Sequence, residues 1–160
     1  MAVLFRKLLR IGALPAELRA DAEREGILYL AEYVPVTRRF TGSIPGKRSS
    51  GSVASYSGAV VLTEHRVLAT MSTVPKLAGR SIDQAWTEGQ QGAVKAEITG
   101  SGLTLDVDVA DVDPRCHGHL SLHYKTPIDA ETLMRLPRRS FAFDVPPEYV
   151  FRAVGVPYHP

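Results

Sequence analysis

The alternation of hydrophobic and polar residues is clearest between Gly92 and Lys125, where three consecutive segments have a period of two. This period is typical of half-buried strands in an antiparallel sheet. A tight turn at Gly100-Ser101 predicts the register of the first two segments, because glycine tolerates the positive φ that such turns need. The predicted pairs are Val94 with Val107, Lys95 with Asp106, Ala96 with Leu105, Ile98 with Leu103 and Thr99 with Gly102. We therefore predict an antiparallel meander with one apolar face.

The third segment of this meander places its histidines on the polar side. Its apolar and polar residues alternate as Leu120, Leu122 and Tyr124 against His117, His119, Ser121 and His123. A slip of one residue would turn the whole apolar row toward water. We therefore expect the histidines on the outer face, beside Asp106 and Asp108, and Cys116 on the opposite face.

Two helices are predicted before the first strand. Ala2–Ile11 carries one apolar stripe, made of Leu4, Phe5, Leu8 and Leu9. Such a basic amphipathic helix either lies on an anionic membrane surface or packs on the body of the protein or on a second subunit. Ala16–Glu25 forms the next helix, between Pro15 in its first turn and Gly26 at its C-terminal end.

Shorter patterns divide the rest of the chain. Apolar segments bounded by breakers or charged residues predict strands at Ile27–Val34, Val36–Thr41, Ala59–Thr63, Arg66–Met71, Ser81–Thr87 and Ser140–Val145. Ile128–Leu136, capped by Thr126, and Pro146–Val154 are predicted helices. Gly42–Gly58 is rich in glycine and serine, so it is predicted to be a long loop.

Composition and charge exclude several classes of protein. The chain has 160 residues, about one domain, and a net charge of +2, which is too small to indicate binding to nucleic acid. Cys116 is the only cysteine, so no intrachain disulfide forms, as is usual in the cytoplasm. No apolar run is long enough to cross a bilayer. We therefore expect a cytoplasmic protein, with contact to the membrane surface as the alternative location.

Positive charge is concentrated between Tyr33 and Thr63, a stretch without Asp or Glu. Its cations are Arg38, Arg39, Lys47 and Arg48. The segment GSIPGKRSS is superficially similar to a phosphate-binding P-loop, but it lacks the glycine spacing and the Ser/Thr that binds the metal ion. The four cations are therefore the candidate ligands for a phosphate or an acidic lipid headgroup, and a solvated loop is the alternative.

His117 and His119 are the candidate metal ligands. Two histidines spaced by two on a strand lie about 6.6 Å apart at Cα, and both imidazoles can then reach one metal ion. Asp106 or Asp108 is placed to supply the third ligand, whereas an exposed face of paired His and Asp residues is the alternative. The chain lacks the G-x-S-x-G and dinucleotide-binding motifs, so we predict no catalytic nucleophile and no cofactor.

The segment GAVVLTEHRVLAT carries a resemblance to a known family. A glycine, a short apolar strand, Thr-x-x-Arg and a second apolar strand are similar to the pattern of bacterial pleckstrin-homology-like and GRAM-like domains. The segments LPAELRADAEREGILYLAEYV and LDVDVADVDP also resemble actinobacterial proteins of that kind. The resemblance covers roughly Leu14 to Tyr124, and the long C-terminal tail departs from the pattern.

This resemblance implies an α+β fold that is mainly antiparallel β, a small, strongly bent barrel or sandwich closed by a helix. Residues 1–26 would form a helical segment and residues 27–160 a β-rich domain with a C-terminal helical extension. The leading hypothesis is a non-enzymatic module that binds a protein partner or an anionic membrane through the basic loop. One alternative is a metal-dependent hydrolase that uses His117, His119 and Asp106. The other is a structural protein that forms a homodimer through its N-terminal helix.

Overall fold

The computed structural model describes residues 13–72, 80–88, 91–158 and 160. Within them, the helices and strands are α1 (Ala16–Glu25), β1 (Ile27–Ile44), β2 (Lys47–Thr63), β3 (Arg66–Ser72), β4 (Arg80–Ala85), β5 (Val94–Thr99), β6 (Gly102–Asp108), β7 (His117–Lys125), α2 (Ala130–Arg135), β8 (Ser140–Phe143) and α3 (Pro147–Val154). The strands form one antiparallel sheet in the order β4-β3-β2-β1-β7-β6-β5-β8. The predicted helix Ala2–Ile11 lies outside the described residues.

The predicted meander is confirmed as β5, β6 and β7. All five predicted pairs of β5 with β6 are present, including the Lys95–Asp106 pair. The apolar residues of the three strands are buried and face the core, whereas His117 and His119 are exposed. The alternation of the sequence therefore determines both the register and the outward direction of the histidines.

The segment predicted as a loop, Gly42–Gly58, is instead part of a long hairpin. Strands β1 and β2 pair along almost their whole length, and only Pro45 and Gly46 form the turn. Gly46 has a φ of +94°, a conformation that favours glycine. The prediction was wrong because serine and glycine have low strand propensity, so the local sequence carries no strand signal. The backbone hydrogen bonds with β1 nevertheless hold this segment in the sheet.

Pro35 does not end the first strand, contrary to the sequence prediction. Pro35 pairs with Ser57 of β2, and the pairing of β1 with β7 begins only at the next residue, Val36. Proline is tolerated in a strand where one side has no ladder partner for its missing N–H. The two predicted short strands are therefore parts of one strand, whose pairing with β2 shifts in register between Ala31 and Val34.

Helix α1 covers the outer face of β2 and β3. Its apolar side packs on both strands in a second small core, made of Leu14, Leu18, Ala22, Ala59, Val61 and Leu68. This part of the sheet is buried on both faces, which explains why Ala59–Thr63 is a continuous apolar run instead of an alternating one. Arg66 also links the helix to the sheet, since its guanidinium lies 2.6 Å from the Glu25 carboxylate and 3.1 Å from Asp83.

Helix α2 is shorter than predicted and has a different cap. The helix begins after Asp129, whose carboxylate accepts a hydrogen bond from the Thr132 N–H at 2.8 Å. Thr126, the predicted cap, is buried and its hydroxyl contacts that of Tyr29 on β1. A tertiary contact therefore removes Thr126 from the capping role.

Helix α3 closes the main core, as predicted for Pro146–Val154. Its buried residues, Val150, Phe151, Ala153 and Val154, pack on the inner face of the sheet. The sheet is curled so that its two ends approach each other. Trp86, just after β4, lies edge-to-face with Phe141 of β8, and their ring centroids are 6.4 Å apart. The predicted fold class is thus confirmed: an α+β protein, mainly antiparallel β, in a nearly closed barrel.

In the described ranges, no helix has the length and apolar character needed to cross a membrane.

Candidate functional site

The predicted basic residues divide between the inside and the outside of the barrel. Successive side chains of a strand point to opposite faces of the sheet. In β1, Arg38 therefore points into the core and is only 3% exposed, whereas its neighbour Arg39 is exposed on the outer face. Across the hairpin turn, Lys47 is half-buried and Arg48 is exposed. The structure therefore does not bring the four cations together on one surface.

Arg38 contacts the C-terminal end of helix α3. Its Nη1 lies 3.4 Å from the Val154 carbonyl oxygen, and its Nη2 donates to Ser52 Oγ at 2.9 Å. Lys47 Nζ donates to the same Val154 carbonyl at 3.3 Å, and the Tyr56 hydroxyl donates to the Ala153 carbonyl at 2.9 Å. Positive charge stabilises the C-terminal end of a helix, where carbonyl groups lack helical partners. These donors hold α3 in the barrel.

A depression of about 420 Å³ lies at the tip of the β1–β2 hairpin. Its lining residues are Ser43, Ile44, Pro45, Gly46, Lys47, Arg48 and Arg115. Three of these residues are cationic and none is acidic. An arginine or lysine site of this kind suits a phosphate or a carboxylate, to which guanidinium groups donate paired hydrogen bonds.

Arg115, which comes from the loop before β7, is the lining residue that the sequence did not indicate. Its guanidinium Nη2 lies 2.8 Å from Asp113 Oδ2, and its carbon Cζ lies 5.7 Å from the centre of the Phe151 ring. The hydrogen bond from Arg115 lowers the pKa of the buried Asp113 carboxyl below its usual value. Asp113 and Phe151 therefore fix the arginine, although 43% of its side chain remains exposed.

The sheet register places the histidine face beside this depression. Ser43, which lines the depression, is paired with Arg48 on one side and with His117 on the other. Residues directly opposite each other in antiparallel strands point to the same face, with Cβ atoms about 4.5–5.5 Å apart. Arg48 and His117 therefore flank Ser43 on the two neighbouring strands, at one side of the depression.

The predicted metal ligands are only partly assembled. His119 Nε2 lies 3.1 Å from Asp106 Oδ1, and both side chains are more than half exposed. The Asp108 carboxylate accepts a hydrogen bond from the Ala110 N–H at 3.2 Å. Throughout the described ranges, no group of three or more His, Cys, Asp or Glu side chains is arranged to hold a metal ion. The geometry is that of an exposed hydrogen-bonded pair on the sheet surface.

Cys116 lies on the inner side of the chain, as predicted. Its side chain is completely buried, and this burial raises the pKa of the thiol. The thiolate is the reactive form of cysteine, so a raised pKa makes the residue a poor nucleophile at neutral pH.

Comparison with known proteins gives no family for the chain. No protein-family model matches it, and neither does any curated protein or solved structure.

Proposed function

We propose that the protein is a non-enzymatic binding module of pleckstrin-homology-like fold that binds an anionic group at the tip of its β1–β2 hairpin. The anionic group is a phosphate, carried either by a lipid headgroup or by a soluble ligand. The observation that supports this proposal is the depression lined by Lys47, Arg48 and Arg115 without an acidic residue among its lining side chains. The barrel closed by α3 agrees with the fold that the sequence resemblance implies.

The three cations have different roles in this proposal. Arg115 is held by Asp113, and a side chain fixed in advance loses little conformational entropy when a ligand binds. Lys47 is directed toward the end of α3 and adds charge at one side of the depression. Arg48 is exposed, so it closes over the bound anion and contributes mainly through its charge and its paired N–H donors.

Vesicle sedimentation tests this function directly. Purified protein is mixed with vesicles of phosphatidylcholine alone and with vesicles that also contain a phosphorylated phosphatidylinositol, at low and physiological salt. We expect binding only to the phosphate-bearing vesicles, weaker at the higher salt because mobile ions screen exposed charges. A parallel titration with inositol phosphate distinguishes a soluble ligand from a membrane surface.

Arg48→Ala removes one cation that lines the depression, so it tests whether the depression binds the anionic group. We expect it to weaken binding about tenfold, which corresponds to roughly 1.4 kcal/mol, without loss of stability. Lys125→Ala is the matched control, since Lys125 is exposed at the opposite end of β7, about 26 Å along the strand from His117. Equal affinities of the two variants, or equal binding to both kinds of vesicle with no response to inositol phosphate, would contradict the proposal.

A further inference from the structure

The three cations of the depression at the hairpin tip reach it from different parts of the sheet. Lys47 pairs with the buried Ile44, which places its side chain on the inner face of the hairpin. Its neighbour Arg48 pairs with Ser43 and is exposed on the outer face. Arg115 comes from the loop before β7, and β7 lies on the other side of β1 from β2. The cations are therefore distributed around the depression instead of along one of its sides.

Positive charge exceeds negative charge around the depression. Lys47 and Arg48 form no ion pair with another residue in the described part of the chain. The guanidinium of Arg115 is paired with the buried carboxylate of Asp113. Their hydrogen bond lowers the pKa of that carboxyl, so Asp113 is ionised at neutral pH. One negative charge thus accompanies three positive charges, which leaves a net charge of +2.

A phosphate held by a single ester bond suits both the charge and the arrangement of these cations. Such a phosphate has three unsubstituted oxygen atoms and, at neutral pH, a charge of about −1.5 to −2. Each of the three cations then has its own oxygen acceptor. A phosphate diester, as in a nucleic-acid backbone, carries a charge of about −1 and has one unsubstituted oxygen fewer. It would leave one cation of the depression without an acceptor and without a balancing charge.

We infer that the depression selects a terminal phosphate, attached through a single ester bond, over the diester phosphates of phospholipids such as phosphatidylcholine. This inference rests on the proposed function and names the chemical class of its ligand. The selection arises because each cation interacts more strongly with a dianion than with a monoanion at the same distance. Terminal phosphates occur both on lipid headgroups and on soluble molecules, so the test includes one arm for each source.

Three inositol esters test the selection by isothermal titration calorimetry with the full chain. Inositol 1-phosphate is the monoester, and its methyl ester is the diester. Inositol 1-sulfate keeps three unsubstituted oxygens but has the lower charge, so it separates the effect of charge from that of oxygen number. The measurement is made at pH 8, where phosphate monoesters are dianions and histidine side chains are ordinarily neutral. We expect the monoester to bind about tenfold more tightly than either of the other two esters.

The response to Arg48→Ala should depend on the charge of the ligand. Coulomb energy is proportional to that charge, so the variant should weaken binding of the monoester about tenfold and of the sulfate ester only about threefold. Lys125→Ala, at the opposite end of β7, is the control and should change neither affinity.

Vesicle sedimentation distinguishes a lipid from a soluble ligand. Phosphatidic acid carries a terminal phosphate, whereas phosphatidylglycerol, used at twice the mole fraction, supplies similar total charge as diesters. Stronger binding to phosphatidic acid vesicles would identify a lipid ligand. Binding of inositol 1-phosphate without binding to either kind of vesicle would identify a soluble one.

The outcomes separate this inference from the proposed function. Equal affinities of the three inositol esters, equal weakening of the monoester and the sulfate ester by Arg48→Ala, or equal binding to the two kinds of vesicle would overturn the selection. The depression would then still be an anion site, as the proposed function states. Absence of binding to every ester and every vesicle would overturn both.

Discussion

The imidazole of His119 reaches diagonally across the sheet to Asp106, although the residue directly opposite His119 in the ladder is Asp108. The direct partner is turned away, because the Asp108 carboxylate caps the short 3₁₀ helix Val109–Asp111. The pairing of charges on this face is therefore decided by a local turn as well as by the register.

We expect the His119–Asp106 pair to contribute less than about 1 kcal/mol to the free energy of unfolding, since exposed ion pairs are well solvated. The measurement is a double-mutant cycle with His119→Ala and Asp106→Ala, by urea unfolding at a pH where the histidine is charged. The coupling should fall as salt is added. A coupling of several kcal/mol that is insensitive to salt would contradict this expectation.

Arg38→Ala should lower the free energy of unfolding by about 3 kcal/mol. Hydrogen bonds to charged groups contribute roughly 1.5–3 kcal/mol, and the variant would also leave the buried carbonyl of Val154 with fewer donors. Arg39→Ala is the matched control, and its change should stay within about 0.5 kcal/mol because the side chain is exposed. Urea unfolding of both variants provides the comparison, and equal losses would show that Arg38 does not hold α3.

The Asp113–Arg115 pair should make stability depend on pH in the acid range. Because Arg115 lowers the pKa of Asp113 in the folded state, the pair stabilises the fold above the ordinary aspartate pKa of about 3.9. That stabilisation is lost as the pH falls through the lowered folded value. Urea unfolding between pH 7 and pH 3 should show the difference between the native protein and Asp113→Asn shrinking on acidification. A constant difference over this range would contradict the assignment.

Gly118→Ala should lower the free energy of unfolding by about 3 kcal/mol or more. Gly118 has a φ of +111°, and an added Cβ would lie 2.1 Å from the Thr41 carbonyl oxygen and 2.6 Å from Gly42 Cα. The strain would separate β1 from β7 and disturb the two histidines that flank this glycine. Thermal unfolding is the measurement, and Ser121→Ala on the same strand is the control. Equal melting temperatures of the two variants would show that the strands can move apart without cost.

The sequence by itself determined the parts of the fold in which neighbouring elements pair through a short turn. The pairs from Val94–Val107 to Thr99–Gly102 follow from alternation and one glycine turn, since any other register would expose apolar residues. The positions of helices α1 and α3 also follow from local signals, namely proline at the start of each helix and glycine after its end. The outward direction of His117 and His119 needed no further information.

Only the tertiary structure decided which cations share a surface. Ser43 joins Arg48 to His117 by pairing with both strands, and Arg115 reaches the hairpin tip from a distant loop. Arg38 contacts Val154, a residue 116 positions later in the chain. The serines and glycines of β2 have low strand propensity, so they carry no strand signal of their own. They lie in a strand because their backbone groups pair with β1. Contacts between residues so far apart depend on how the whole sheet curls, and no local pattern of hydrophobic and polar residues records that curvature.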